Sequence, residues 1–346
     1  MGVFWTRDAL QASRVITSWY LLGMSSLFHE FDWLRALRER TPHSTRVPLG
    51  IGDDTALVEI GCQPGFGRGC LITTDMLMEG VDFLFEGTPW TGPSLRMATP
   101  REAGRKAMSV NISDIAAMGG TPVAAVCAVA LPRRFETAWV TQLLEGVREV
   151  AAESGVALAG GDTNRWDGPL VVTITLLGDP PLCGPITRSG ARPGDWLVAT
   201  GAFGGSLLGR HLEVRPRVRE AQELLTFGPV HALIDVSDGL SQDAGHLCDA
   251  SHVGLILDVD AIPIHADART LAKSSGREPL DHALSDGEDF ELLAAIPAQV
   301  ALTLPATLAG GTSLSRIGEF TDSGGLQLRE MDGTVRPLSR RGWVHG

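Results

Sequence analysis

Hydrophobic and polar positions along this chain follow two periods, one of strands and one of helices. Leu49–Glu59 and Gly69–Asp75 are short apolar runs that begin or end on acidic residues and predict strands. Arg105–Met118 places Ala107, Val110, Ile112, Ile115 and Met118 at helical spacing and stops at Gly119-Gly120. Pro122–Leu131 is a continuous run of small apolar residues and predicts a buried strand, and Phe135–Ser154 predicts a helix closed by Gly155. Val156–Gly161 and Leu170–Gly178 predict two more strands around a Gly-Gly-Asp-Thr-Asn turn, and Gly178–Pro185 has a linker composition. Further on, Asp195–Gly201 predicts a strand running into Gly204-Gly205, which would open a helix, and Arg210–Glu220 reads as a polar loop or helix end. Ala232–Val236 predicts a strand meeting Ser237-Asp238-Gly239, with a helix through Ala250 and strands at Gly254–Val259 and Phe290–Ile296. Phe28–Arg40 has an amphipathic helical pattern, and Glu86–Arg101 reads as an exposed loop. Strand–turn–helix units in both halves predict an α/β (α+β) architecture of mixed sheets packed with helices.

Length turns that architecture into two domains. With 346 residues, the expected division is 27–178 and 179–346. Residues 1–26 are expected to be an extension, disordered or upstream of a true start at Met24, since Val15–Met24 has no good small-residue cleavage site. Hydrophobic residues make up 44% and charged residues 20%, which excludes a disordered chain or a coiled coil. The net charge is −12, and the only lysines are Lys106 and Lys273. A basic surface for nucleic acid is therefore not expected, and a polyanion would need metal ions between its phosphates and the carboxylates. Five cysteines, an odd number with no CxxC pair, predict reduced thiols and a cytoplasmic protein. No apolar run approaches the roughly 20 residues that cross a bilayer, so no membrane partner is expected.

The candidate chemistry lies in where the aspartates fall. Asp53-Asp54 follow Gly50-Ile51-Gly52, Asp75 ends Leu71-Ile72-Thr73-Thr74, and Asp114 follows Asn111 by three residues on one helical face. Asp162 follows Gly160-Gly161, and Asp235 and Asp238 bracket Val236-Ser237. Strand ends can aim such carboxylates into one crevice, and adjacent glycines let a ligand approach the backbone. Converging carboxylates repel unless divalent cations neutralise them, and oxygen ligands with the Thr73 and Thr74 hydroxyls favour Mg²⁺ or Mn²⁺. Any one Asp-Gly pair is ordinarily a plain turn or cap, and six at element ends weaken that explanation. There is no GxxxxGK[ST] loop and no GxSxG elbow. Gly201-Ala202-Phe203-Gly204-Gly205 reads equally as a phosphate cradle or a packing turn. His211, His246 and His282 read as surface or helix residues, and Ser237 as an N-cap.

These motifs resemble the thiamine-monophosphate kinase family, within the aminoimidazole ribonucleotide synthetase-like superfamily. The similar stretches are Gly50–Ala56, Thr73-Thr74-Asp75, Ala107–Gly119, Gly160-Gly161-Asp162-Thr163, Thr187–Asp195, Ile234–Leu240, Ser285–Leu292 and Arg316-Ile317-Gly318, from about Phe28 to Trp343. The resemblance implies an ATP-dependent kinase that converts thiamine phosphate to thiamine diphosphate, with an N-terminal ATP/Mg-binding domain that also forms a homodimer. It implies Asp54, Thr73, Thr74, Asp75, Asp114, Asp162, Asp235 and Asp238 as magnesium ligands. It further implies Gly161, Asp162, Arg188 and Ser237 at ATP, and Asp82, Glu288 and Trp343 at the substrate. The attacking phosphate is largely dianionic at neutral pH, so no general base is expected and Arg188 would assist metal-held transfer.

Two features depart from the resemblance. Asp82 stands where the family commonly has a histidine near the substrate phosphate, and Glu86–Arg101 is longer than usual. Of the alternatives, selenophosphate synthetase wants an early reactive Cys or selenocysteine with a lysine, and the hydrogenase-maturation relative would end in cysteine. Aminoimidazole ribonucleotide synthetase differs around Thr73–Phe83. A nucleotide-binding regulator without catalysis is the alternative from another class, and the intact carboxylate set argues against it.

Overall fold

The computed structural model describes residues 30–42, 44–60, 68–88, 96–322 and 324–343. The expectations for residues 1–26 and for much of the 86–101 loop lie outside them. Helix α1 (Glu30–Arg40) belongs to one compact unit, and 42–343 form a second unit that holds everything below.

The first sheet contains β1 (Ala56–Ile60), β2 (Arg68–Met78), β3 (Thr121–Pro132), β4 (Ala157–Trp166) and β5 (Val171–Asp179), in the order β1-β2-β5-β3-β4. Only β3 and β4 run parallel. In β5 the side chains alternate strictly, with Val172, Ile174 and Leu176 fully buried. They pack beneath α2 (Pro100–Ala117), which begins with a Thr99/Glu102 capping box and Pro100 in its first turn. Met108, Ile112 and Ile115 of α2 are fully buried, each contributing about 2 kcal/mol of transfer free energy. Helix α3 (Thr137–Glu153) crosses α2 through two glycines. A Cβ on Gly104 would lie 2.0 Å from the Leu143 carbonyl oxygen, and one on Gly146 would lie 2.0 Å from that of Arg101.

The second sheet runs β12-β11-β8-β10-β6-β9-β7, with only β8 and β11 parallel. Its strands are β6 (Asp195–Thr200), β7 (Ala232–Asp235), β8 (Gly254–Asp258), β9 (Leu292–Pro297), β10 (Leu314–Thr321), β11 (Gly325–Arg329) and β12 (Val335–Pro337). Helices α4 (Val218–Phe227), α5 (Leu240–Ser251), α6 (Ala266–Ser275), α7 (Pro279–Ser285) and the single turn α8 (Ala298–Ala301) accompany it. The α/β (α+β) expectation of mixed sheets packed with helices is met.

Several local expectations are corrected. Within Leu49–Glu59 only β1 is regular, because Gly50-Ile51-Gly52 breaks the run. The Gly-Gly-Asp-Thr-Asn segment is no turn but the middle of β4, where Gly161 and Asp162 pair with Cys127 and Ala128. Strand β3 is exposed at alternating positions rather than buried. Gly204-Gly205 open only a short 3-10 turn at Ser206–Leu208. His211 and His282 are buried, His211 against the Ser206 carbonyl and His282 between Ser275 and Asp286.

Candidate active site

Strand phase decides which candidates meet. In β2, Thr73 and Asp75 share the inward face with buried Leu71 and Leu77, while Thr74 lies on the opposite face and donates to the Ile174 carbonyl. The inward face meets α2. There Thr73 Oγ1 donates to Asp114 Oδ2, and Asn111 Oδ1 accepts the Asp75 backbone N–H at 3.1 Å. One residue before Asp114, Ser113 donates to Asp235 at the end of β7. Oxygens of Asp54, Asp114 and Asp235 lie within 4.8 Å of one another, and Asp75 hydrogen-bonds Asp114.

Burial and mutual repulsion set the acidity of this cluster. Asp75 is pushed up to about 6 and Asp235 to about 7, first by burial and then by neighbouring carboxylates, Asp54 among them. Asp114 is raised well above the ordinary range by burial together with the charges of Asp75, Asp235 and Asp54. The one guanidinium engaging the cluster among the described residues is Arg188, which forks onto Asp54 at 2.6 and 3.2 Å. Its backbone N–H also donates to Asp53 Oδ1 at 2.7 Å. The adjacent Thr55 Oγ1 is buried without a hydrogen-bond partner. A donor set of carboxylate and hydroxyl oxygens with surplus negative charge fits a hard divalent cation such as Mg²⁺.

Asp238 belongs to a neighbouring group with Asp243 and His246. Asp243, which sequence reasoning missed, accepts the N–H groups of Asp238 and Gly239 from within the first turn of α5. The N-cap position is Gly239, not Ser237. The Ser237 carbonyl instead accepts the Glu288 N–H at 2.7 Å. His246 is pushed down to about 4 by burial and then by Arg188 and Arg340. Gly161 and Asp162 stand apart on β4, whose ten residues are all exposed in the single chain.

The second half of the site is the loop after α7. Glu288 and Phe290 both have φ of 51°, a left-handed conformation costing about 1 kcal/mol or more at each non-glycine residue. Ser206 Oγ donates to the Gly287 carbonyl, and Asp286 is held by Gly205 N–H, Arg277 and His282. The Gly204 N–H donates to Asp289, which Arg210 also engages. The glycine cradle after β6 thus holds this protein's own carboxylates, and the packing-turn alternative is the one observed. Glu288 accepts from Lys106, a second residue missed in the sequence. Asp82 turns its Oδ2 back to accept the Met78 N–H at 2.6 Å. Trp343 is half exposed, and its backbone N–H donates to the Asp238 carbonyl.

Comparison with known proteins bears directly on this geometry. The family models for the AIR synthase related protein match here, the N-terminal domain over residues 52–179 and the C-terminal domain over 189–330. The thiamine-monophosphate kinase of Rhodopirellula baltica is 40% identical over 92% of this chain and 97% of its own length. That of Escherichia coli K12 is 34% identical over 86% and 92%. A solved structure described as AaThiL complexed with AMPPCP and TMP superposes with a TM-score of 0.77 at 26% identity, covering 94% of this chain and all of that one. With relatives up to 40% identical and covered nearly end to end, the chain belongs to the thiamine-monophosphate kinase family.

Proposed function

We propose that this protein transfers the γ-phosphoryl group of ATP to the phosphate of thiamine phosphate, giving thiamine diphosphate by direct in-line transfer. The observation that carries this is the convergence of Asp54, Asp114 and Asp235, with Asp75 and Thr73 beside them, at a point where β2, α2 and β7 meet. The relatives' kinase activity and the nucleotide analogue and TMP bound in the AaThiL structure support it.

The residues divide the work. Asp54, Thr73, Asp75, Asp114 and Asp235 would hold magnesium, which when bound neutralises phosphate charge and aligns donor and acceptor oxygens. Arg188 carries a fixed positive charge beside Asp54 and is suited to a phosphate oxygen of ATP. The acceptor phosphate is its own nucleophile, so the transfer calls for no general base. Glu288 and Trp343 would receive the thiamine rings, the carboxylate complementing a cationic heterocycle. Asp82 is spent on its own turn, which lessens its repulsion of a substrate phosphate.

Gly161, Asp162 and Ser237 at ATP, and Thr74, Asp162 and Asp238 at further ions, belong to the same proposal, with 27–178 as the ATP/Mg-binding and dimerisation domain. Met76, Val123, Val126 and Trp166 are all exposed on the first sheet. Such a patch fits a second copy of the chain, which would also cover β4 with Gly161 and Asp162. Cytoplasmic location is supported by the free cysteines Cys70, Cys127, Cys183 and Cys248. No described helix is long and apolar enough to cross a membrane. The test is ADP release from ATP and Mg²⁺. Dependence on thiamine phosphate is expected, and ATP binding without such turnover would overturn the assignment.

A further inference from the structure

Lys106 is 1% exposed, yet it is one of only two lysines in the chain. Its ammonium donates to Glu288 Oε1 at 2.6 Å and to the Asp82 backbone carbonyl at 2.6 Å. It stands in α2 on the stripe that continues to Ser113 and Asp114, about 12 Å along the helix axis from the converging carboxylates. One helix therefore carries a contact to the acidic cluster at one end and the partner of Glu288 at the other. Glu288 needs that partner: its backbone is left-handed and its side chain is 25% exposed. The neighbouring carboxylates of the loop are already committed elsewhere, Asp286 to His282 and Arg277, and Asp289 to Arg210.

We infer that Lys106 is a positioning residue for the thiamine end of the substrate: it orients the Glu288 carboxylate and ties it to the turn at Asp82. By bonding one carboxylate oxygen, Lys106 leaves the other to the substrate and fixes its direction. Because it bonds the main chain at position 82, the tie is independent of the side chain there. A lysine held this way neutralises Glu288 without reaching the ligand itself.

This assignment rests on the kinase reading, and wild-type protein separates the two. A wild type without thiamine phosphate-dependent ADP release overturns the kinase reading and this assignment with it. Given turnover, Lys106→Met is expected to raise KM for thiamine phosphate at least tenfold, with kcat within threefold and KM for ATP within twofold of wild type. An unchanged KM for thiamine phosphate, or equal rises in both KM values, refutes the assignment. Glu288→Gln and the Lys106→Met/Glu288→Gln pair provide the second arm. If Lys106 acts through Glu288, the double variant matches Glu288→Gln within threefold in kcat/KM. It also serves where Lys106→Met alone fails to fold, since it carries no unpaired, part-buried carboxylate. A further tenfold loss in the double variant, or its failure to fold where Glu288→Gln folds, makes Lys106 a structural residue and ends the proposal.

Discussion

Replacing Asp235 by Asn should make the metal-free protein more stable. Asp235 is 3% exposed and hydrogen-bonded by Ser113, and its carboxyl is raised from 3.8 to about 7 by burial and by Asp54. A folded-state pKa above the unfolded value means that folding takes up a proton between about pH 4 and 7. The stability this provides is complete below pH 4 and is lost as pH rises through 7. A rise of about 3 units corresponds to a ceiling of about 4 kcal/mol of destabilisation at pH 8, at 1.36 kcal/mol per unit. Allowing half for relaxation and for neighbours that share the proton leaves about 2 kcal/mol. Asn keeps an oxygen for Ser113 and removes the charge. Urea unfolding in EDTA at pH 8, followed by circular dichroism, should therefore place Asp235→Asn about 2 kcal/mol above wild type with an unchanged m-value. The advantage should shrink steadily as pH falls and vanish near pH 4. Saturating Mg²⁺ should stabilise wild type and not the variant. A variant no more stable than wild type at pH 8 in EDTA would show that the carboxylates do not strain one another as their proximity implies.

Asp114→Asn should lower kcat by at least a hundredfold while far-UV circular dichroism stays that of the wild type; near-normal turnover would remove Asp114 from the metal centre. Asp82→His should leave KM for thiamine phosphate unchanged or lower and cost about 1 kcal/mol in urea unfolding through loss of the Met78 contact. A collapse of turnover would instead give Asp82 an essential role. Val126→Glu, on the exposed face of the first sheet, should convert a dimer to monomers in light scattering, and a monomeric wild type would refute that interface. Gly104→Ala should destabilise by about 3 kcal/mol in the same unfolding assay, because its methyl group would meet the Leu143 carbonyl.

The acidic cluster was legible in the sequence because glycine and aspartate at strand ends are local signals. What was not legible depended on strand phase and on distant partners. Thr73 and Thr74 are indistinguishable as letters, yet only Thr73 faces Asp114. Gly160–Asn164 has turn composition, and its pairing with β3 overrides that preference. His211 and His282 read in the sequence as surface or helix residues because the groups that satisfy them form no sequence pattern. Lys106 left one usable sign, its rarity, since Lys273 is the only other lysine in the chain.

Strand β4 lies at the margin of the first sheet, ten residues long and open to water on both faces, the kind of template on which extended chains stack into aggregates. Its centre reads Gly160-Gly161-Asp162-Thr163-Asn164-Arg165, with residues that resist strand addition at four of the six positions. The glycines and aspartate proposed to serve nucleotide binding thus also guard the newly made chain against sticking to its neighbours. Substitutions there with β-branched residues would be punished twice, once in catalysis and once in solubility.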